Sequence, residues 1–220
     1  MKLDPGFGWT YSDYKKTLNQ FKDSGYSITS FKEFINSPSQ KHLILRHDID
    51  FNLNAAFKIA QIDNQLGINS SFFFRVCANG YNLSAAPAIK IINEFKEMGH
   101  ELGLHLDMGM EKIWGCSSQE SISRQFNIFE EAIGYAAKGF SVHMPAILGG
   151  IDDCEAVKEN MNLTYHAYEK KFTDGEFKYI SDSMKMWREK PLIEFIGQIN
   201  KIQLLIHPVW WYENNPQENY

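Results

Sequence analysis

The stretch LILRHDIDF, residues 43–51, decides how the chain is read. It begins like a buried strand, with Leu43, Ile44 and Leu45 in a row, and it ends in Arg46, His47, Asp48, Ile49 and Asp50. Asp48 and Asp50 stand at i and i+2, so a strand directs both carboxylates to the same side. Two like charges held close raise each other's pKa unless a positive charge lies between them. A divalent cation would be such a charge. A catalytic acid–base pair is the other reason to keep two acids there.

Outward from this stretch, strands and helices alternate. A helix is expected over residues 11–24 and the strand itself over 42–47. The next helix covers 54–66, with Ala55, Ile59, Ile62 and Leu66 at helical spacing and Gly67 closing it. SSFFFRV, residues 70–76, is a continuous apolar run of the kind found in strands buried on both faces. A helix over 84–98 carries Pro87 in its first turn and stops at Gly99. Then come a strand over 101–105, a helix over 118–134 and a strand over 140–143. A helix over 152–161 opens on Asp152 and Asp153, as the helix dipole favours. Strands over 163–166 and 178–181, a helix over 191–200 and a strand over 201–206 complete the pattern. Such alternation implies parallel pairing, in a barrel or an open doubly wound sheet. In both, the chemistry gathers at the carboxyl ends of the strands.

Composition narrows the class. The chain has 220 residues, 44% of them hydrophobic, enough for one sizeable core. A formal charge of -5 argues against a nucleic-acid binder. The opening MKLDPGFGWTYSDY has an acid and a proline where a signal peptide is apolar, and no apolar run approaches the roughly 20 residues that span a bilayer. Cys77, Cys116 and Cys154 are odd in number and in no metal-ligand spacing. Together these lead us to expect a reduced, cytoplasmic compartment and no transmembrane segment.

The strand ends then supply the chemistry. Asp48 and Asp50 follow the first strand, His105 and Asp107 a later one, and His143 the next. Asp182 and Ser183 follow the strand at 178–181, and His207 ends the last strand, ahead of Trp210 and Trp211. One such residue would most often be structural. Acids and imidazoles arriving at the same end of at least four strands point to a shared site. Singly, Asp48, Asp50 or Asn52 would serve as a helix N-cap. His47 and His100 read as structural, and His42 and His166 as ordinary.

These segments resemble the polysaccharide deacetylases that carry the NodB homology domain, in the branch whose first motif reads R-H-D-x-D. LILRHDID is similar to the first motif, SSFFFRV to the second strand, and GHELGLHLD (99–107) to the histidine motif. SVHMP (141–145), YISDSMKMWR (179–188) and LLIHPVWW (204–211) resemble the remaining motifs. Their order and spacing together are specific. The resemblance implies an α/β fold, a distorted (β/α)7 barrel, as a single catalytic domain over residues 1–220 with an N-terminal helical segment of about residues 1–40 packed on it.

It also implies roles. Asp48 matches the general base that activates the attacking water, and Asp50 the metal-binding aspartate, displaced by one because Ile49 interrupts the usual adjacent pair. His105 matches the first histidine ligand, His207 the acid that protonates the leaving amine, and Asp182 the acid that orients its neighbours. Two positions depart from the family. The usual second histidine is Gly109, and the arginine before proline that pairs with the catalytic Asp is Met144. The third ligand is then His143 or Asp107, in a set suited to zinc, with cobalt or manganese as alternatives. Trp210 and Trp211 are core residues or a stacking platform for a sugar ring, and Arg188 is a candidate substrate contact. The expected activity is metal-dependent hydrolysis of an N-acyl group, acetyl first, on an amino sugar or glycan precursor. The competing readings are a degenerate carbohydrate-binding relative and a hydrolase of a small non-sugar amide.

Overall fold

Alternation of inward and outward side chains along the strands organises the molecule. The structure, a computed structural model, describes residues 8–220; residues 1–7 of the expected N-terminal segment lie outside them. The strands are β1 (Ser27–Thr29), β2 (His42–Ile49), β3 (Ser71–Phe74), β4 (Glu101–Leu106), β5 (Gly139–Val142), β6 (Tyr165–His166), β7 (Lys178–Ser181) and β8 (Lys201–Ile206). They form one sheet in the order β6-β5-β4-β3-β2-β8-β7, with β1 beside the first half of β2, and every pair is parallel. The helices are α1 (Tyr11–Asp23), α2 (Phe31–Asn36), α3 (Leu53–Gln65), α4 (Ala86–Glu97), α5 (Met110–Trp114), α6 (Ser118–Ile133), α7 (Pro145–Leu148) and α8 (Cys154–Asn160). The sheet and its helices make the expected distorted (β/α)7 barrel.

On β2, Leu43, Leu45 and Ile49 face the helices and join the larger core, whereas Ile44 faces the barrel interior. The inner core is aromatic: Phe31 and Phe34 of α2, Phe73, Tyr165, Phe172 and Phe177 pack with Ile44. Phe31 stacks on Tyr165 with ring centroids 4.7 Å apart, and its backbone N–H donates to Ser71 Oγ at the start of β3. So α2 plugs the amino end of the barrel, opposite to the strand ends that carry the acids and imidazoles. Two glycines make room for these rings. A Cβ on Gly103 would lie 2.6 Å from the Phe73 ring, and one on Gly139 would lie 2.2 Å from the Tyr165 ring.

Helix starts are set by side-chain caps. Thr10 and Asp13 form a reciprocal capping box on α1, and Ser117 and Glu120 do so on α6. Asn52 caps α3, its Oδ1 accepting from the Ala55 N–H at 2.9 Å. The chain therefore leaves β2 and enters α3 within three residues, which fixes Asp50 at the strand end. Most expected elements are present, with ends moved by at most two residues. The expected helix over 191–200 is not: only a 3-10 turn, Leu192–Phe195, forms there. Gly197 at φ +77 interrupts the segment, and Pro191 lacks a helical backbone conformation. The pair β1 and α2 was not expected, because three strand residues and six helical ones are too short to show a period.

Because the glycine contacts are with rings inside a closed core, Gly139→Ala and Gly103→Ala should each lower stability by about 1–3 kcal/mol, as overpacking does. Urea unfolding tests this; unchanged midpoints in both variants would show that the rings have room to move aside.

Candidate functional site

The inward-facing residues at the carboxyl ends of five strands meet in one pit. β2 gives Arg46 and Asp48, with Asp50 just beyond it; Arg75 follows β3. β4 gives His105, with Asp107 beyond. Ser141 comes from β5, with His143 after it, and His207 follows β8. Register lines them up: His105 lies opposite Ser141, and Ile206 opposite His47, which brings His207 level with Asp48.

Asp48 is held by its own strand. Arg46, two residues earlier and on the same side, donates from Nε to Oδ1 at 2.9 Å and from Nη2 to Oδ2 at 2.7 Å. Its remaining donors reach Gln203 Oε1 and the Tyr168 hydroxyl, and the guanidinium lies 4.7 Å over the Tyr168 ring. Arg46 and Asp48 are both buried, with side-chain exposures of 0% and 2%. Burial alone would raise the Asp48 pKa. The charges of Arg46, His105 and His207 and the Arg46 hydrogen bonds hold it well below the usual carboxylate range. Arg46 thus gives Asp48 a two-point cationic partner from its own strand. Met144 is itself exposed, at φ 47.

The two imidazoles are oriented from behind. Ser141 donates its hydroxyl to Asp48 Oδ1 at 3.3 Å, so its oxygen accepts from His105 Nδ1 at 2.6 Å. His143 Nδ1 donates to Asp107 Oδ1 at 2.8 Å. Held by Nδ1 from behind, both rings turn Nε2 toward Asp50. Asp50 Oδ1 lies 3.4 Å from His105 Nε2 and 3.7 Å from His143 Nε2. It is buried, and neither approach closes a hydrogen bond. Burial opposes ionisation of Asp50, but the adjoining His105 and the more distant charge of His207 keep its pKa below the ordinary value.

Among the described residues, no group of three or more His, Cys, Asp or Glu side chains is placed to hold a metal ion as it stands. Donors at about 2.0–2.2 Å from a tetrahedral ion stand roughly 3.4 Å apart, and Asp50 Oδ1 is near that distance from both the His105 and the His143 Nε2 atoms, at 3.4 and 3.7 Å. The orphaned Asp50 oxygen has a reason to exist if a cation satisfies it. Asp107 is engaged otherwise: both its oxygens accept from Arg75, and Oδ1 also holds His143.

His207 is fixed by Asp182, which accepts from its Nδ1 at 2.6 Å and from its backbone N–H at 3.0 Å. Trp211 Nε1 donates to the other Asp182 oxygen at 3.0 Å. Burial would lower the His207 pKa, but the charge of Asp182 and the bond to it, with Asp50 and Asp48 beyond, push it up to about 9.

Of the candidate substrate contacts, Trp211 is 1% exposed and packs on Tyr14, so its ring is core and offers no stacking face. Trp210 is half-buried, and Arg188 is exposed and outside the hydrogen bonds of the pit. Gly109, at φ +87, begins α5 beyond Asp107. His47 faces the helices, stacked on Phe72 and bonded to the Tyr14 hydroxyl, which also donates to Asp63. Sequence reasoning missed three residues. Arg46 was legible from its i, i+2 spacing with Asp48. Arg75 and Ser141 were legible from their inward parity on β3 and β5.

A buried ion pair that loses one partner leaves the other charge stranded, at about 3–5 kcal/mol. Arg46→Met should cost that much, and the double variant Arg46→Met with Asp48→Asn should recover most of it in urea unfolding. The Asp48 pKa is depressed in the folded state. Its contribution is therefore full above about pH 4 and is lost as pH falls toward the folded value. The acid sensitivity of wild-type stability should flatten in the double variant.

Comparison with solved structures agrees with this architecture. No family model matches the sequence, and no curated protein does. The deacetylase PplD of Streptococcus pyogenes, solved in complex with acetate, is 11% identical, over 89% of this chain and 80% of that one, with a TM-score of 0.51. The chitin deacetylase of Colletotrichum lindemuthianum is 18% identical over 84% of this chain and 78% of that one, with a TM-score of 0.50. A mutant of BA3943, a CE4 family pseudoenzyme with restored enzymatic activity, is 15% identical over 78% of this chain and 58% of that one, with a TM-score of 0.50. No helix among the described residues is long and apolar enough to cross a membrane. The chain has the fold of the polysaccharide deacetylases of the NodB type.

Proposed function

We propose that this protein is a metal-dependent amide hydrolase that removes an N-acyl group, acetyl first, from an amino sugar or glycan precursor. One observation carries the reading. Two imidazole Nε2 atoms and a buried, unsatisfied carboxylate oxygen converge beside an arginine-clamped Asp48, level with a charged His207. Asp50, His105 and His143 would hold a divalent cation, zinc first and cobalt or manganese next. Such an ion acidifies water and polarises an amide carbonyl.

Asp48 is the base. Its carboxylate stays ionised at any working pH and is aimed by Arg46, so it accepts a proton only from strongly acidified water. Water oxygen bonds to the carbonyl carbon, and Asp48 takes the proton. His207 is the acid: raised to about 9, it is an imidazolium at neutral pH. It gives a proton to the amide nitrogen as the C–N bond breaks, leaving the free amine and the carboxylic acid, which ionises to solvent; Asp48 gives up its proton and His207 regains one through the same solvent. Asp182 keeps His207 protonated and oriented. Trp210 and Arg188 remain candidate contacts to the glycan.

A second reading, a carbohydrate-binding relative that does not hydrolyse, rests on Gly109 at the place of the usual second histidine and Met144 at the place of the usual arginine. The assay separates them. Wild-type protein supplied with zinc, cobalt or manganese should release acetate or formate from N-acyl amino sugars. Asp48→Asn should keep the metal and lose about 10²–10⁴-fold in rate. Asp50→Asn should instead weaken metal binding, a neutral oxygen being the poorer ligand. No acyl release from a broad panel, with sugar binding retained after metal removal, would transfer the assignment to the binding module.

The acid sets the pH profile. His207 has a folded pKa above its unfolded value near 6.5, so its pairing with Asp182 stabilises fully below about 6.5 and is lost as pH rises through about 9. The rate should fall through the same upper value. Asp182→Asn should move that limb to lower pH; an unmoved alkaline limb would remove His207 from the acid role.

A further inference from the structure

Arg75 is an inward residue directly after β3, and it touches both sides of the pit. Its Nε lies 3.1 Å from each Asp107 oxygen and its Nη2 2.8 Å from Oδ1. Its Nη1 donates to the Asp50 backbone carbonyl at 3.0 Å. Its own backbone N–H is tied to the Tyr81 hydroxyl at 2.8 Å, which donates to the Ile49 carbonyl at 2.9 Å. The Tyr81 loop can close this tightly because Gly80 carries no Cβ: one would lie 1.8 Å from the Phe51 carbonyl oxygen. Asp107 is also fixed through its backbone, which exchanges two hydrogen bonds of 2.9 Å with the buried Gln125 side chain.

We infer that Arg75 is a positioning residue that locks Asp107 as the acceptor of His143 Nδ1–H, and so turns the Nε2 lone pair of His143 toward Asp50. A lone aspartate would be free to rotate. A forked guanidinium on both oxygens leaves it one orientation, with Oδ1 facing the ring. The same arginine holds the Asp50 backbone, so one side chain sets the separation of two of the three donors. The inference rests on the proposed donor set Asp50, His105 and His143, but it concerns a tautomer that exists without metal.

Two readouts test it, neither of them turnover. In metal-free wild type, the ¹⁵N shifts of His143 should show a proton on Nδ1 and a bare Nε2. Arg75→Met, close in volume and uncharged, should give a mixed or Nε2–H tautomer and bind zinc about 10–100-fold more weakly, as loss of such an outer partner does. Arg75→Lys should recover only part of either, because a point charge cannot fork. A solely structural role would lower the unfolding midpoint of Arg75→Met while leaving the tautomer alone. Asp107→Asn, which keeps the shape and loses the charge, should shift the tautomer in the same direction and serves if Arg75→Met does not fold. A His143 tautomer unchanged in the variants overturns the inference. Failure of wild type to bind zinc would count against the proposed function, while the tautomer comparison would still decide the role of Arg75.

Discussion

The Arg46–Asp48 pair is the constraint on which the barrel interior depends. Both partners are fully buried, in a position that packing alone would fill with an aliphatic pair. Taking two charges out of water costs several kcal/mol for each, and their attraction repays it only when geometry and remaining hydrogen bonds are complete. Here they are complete: Gln203, Tyr168 and Ser141 take up what the pair leaves over. Gln203 is satisfied in turn by the Ala167 and Phe172 carbonyls. The polar layer is thereby anchored to β5, β8 and the segment after β6. It separates the aromatic plug at the amino end from the open pit at the carboxyl end. A hydrophobic layer could hold the sheet together, but it would leave Asp48 without direction.

The same strand serves two networks because its residues alternate. Arg46, Asp48 and Asp50 point inward. His47 points to the helices, where Tyr14, Asp63 and Ser70 form a second buried polar cluster. Burial pushes the Asp63 pKa up to about 7, the reverse of what happens to Asp48, 15 positions earlier. Among the described residues the only basic group Asp63 faces is His47, whose pKa burial holds down; a full guanidinium faces Asp48. Two aspartates close in sequence thus take opposite characters from their partners, and only the inner one is kept as a permanent anion at the mouth of the pit.

What was legible in the sequence follows from length and period. The eight-residue β2 and the four helices of twelve or more residues carry enough alternation or amphipathic spacing to be read, and their ends moved only slightly. Short elements carry no period, so β1 and α2 went unread. The apolar spacing of residues 191–200 suggested a helix that Gly197 does not permit. Convergence of Asp48, Asp50, His105 and His207 was readable because parallel strands deliver their ends together. The sharing-out of roles was less so. Whether Asp107 or His143 faces Asp50 depends on Arg75, a contact between β3 and β4 that no local spacing encodes. Whether Trp211 is platform or core depends on Asp182, 29 positions away.

The two departures from the family lose much of their weight once contacts replace positions. Met144 leaves Asp48 without its usual arginine, but Arg46 supplies a two-point clamp from the same face of the same strand. Gly109 leaves a histidine missing one turn beyond His105, but β5 lies beside β4 and brings His143 to the rim with its Nε2 turned to Asp50. In both cases the replacement comes from where strand geometry already places an inward side chain. The electrostatics then separate the pit from a merely structural polar cluster. Tyr14, Asp63 and Ser70 bond to one another. Asp50 Oδ1 and the two Nε2 atoms instead face each other across the pit at 3.4 and 3.7 Å, each held from behind by other partners.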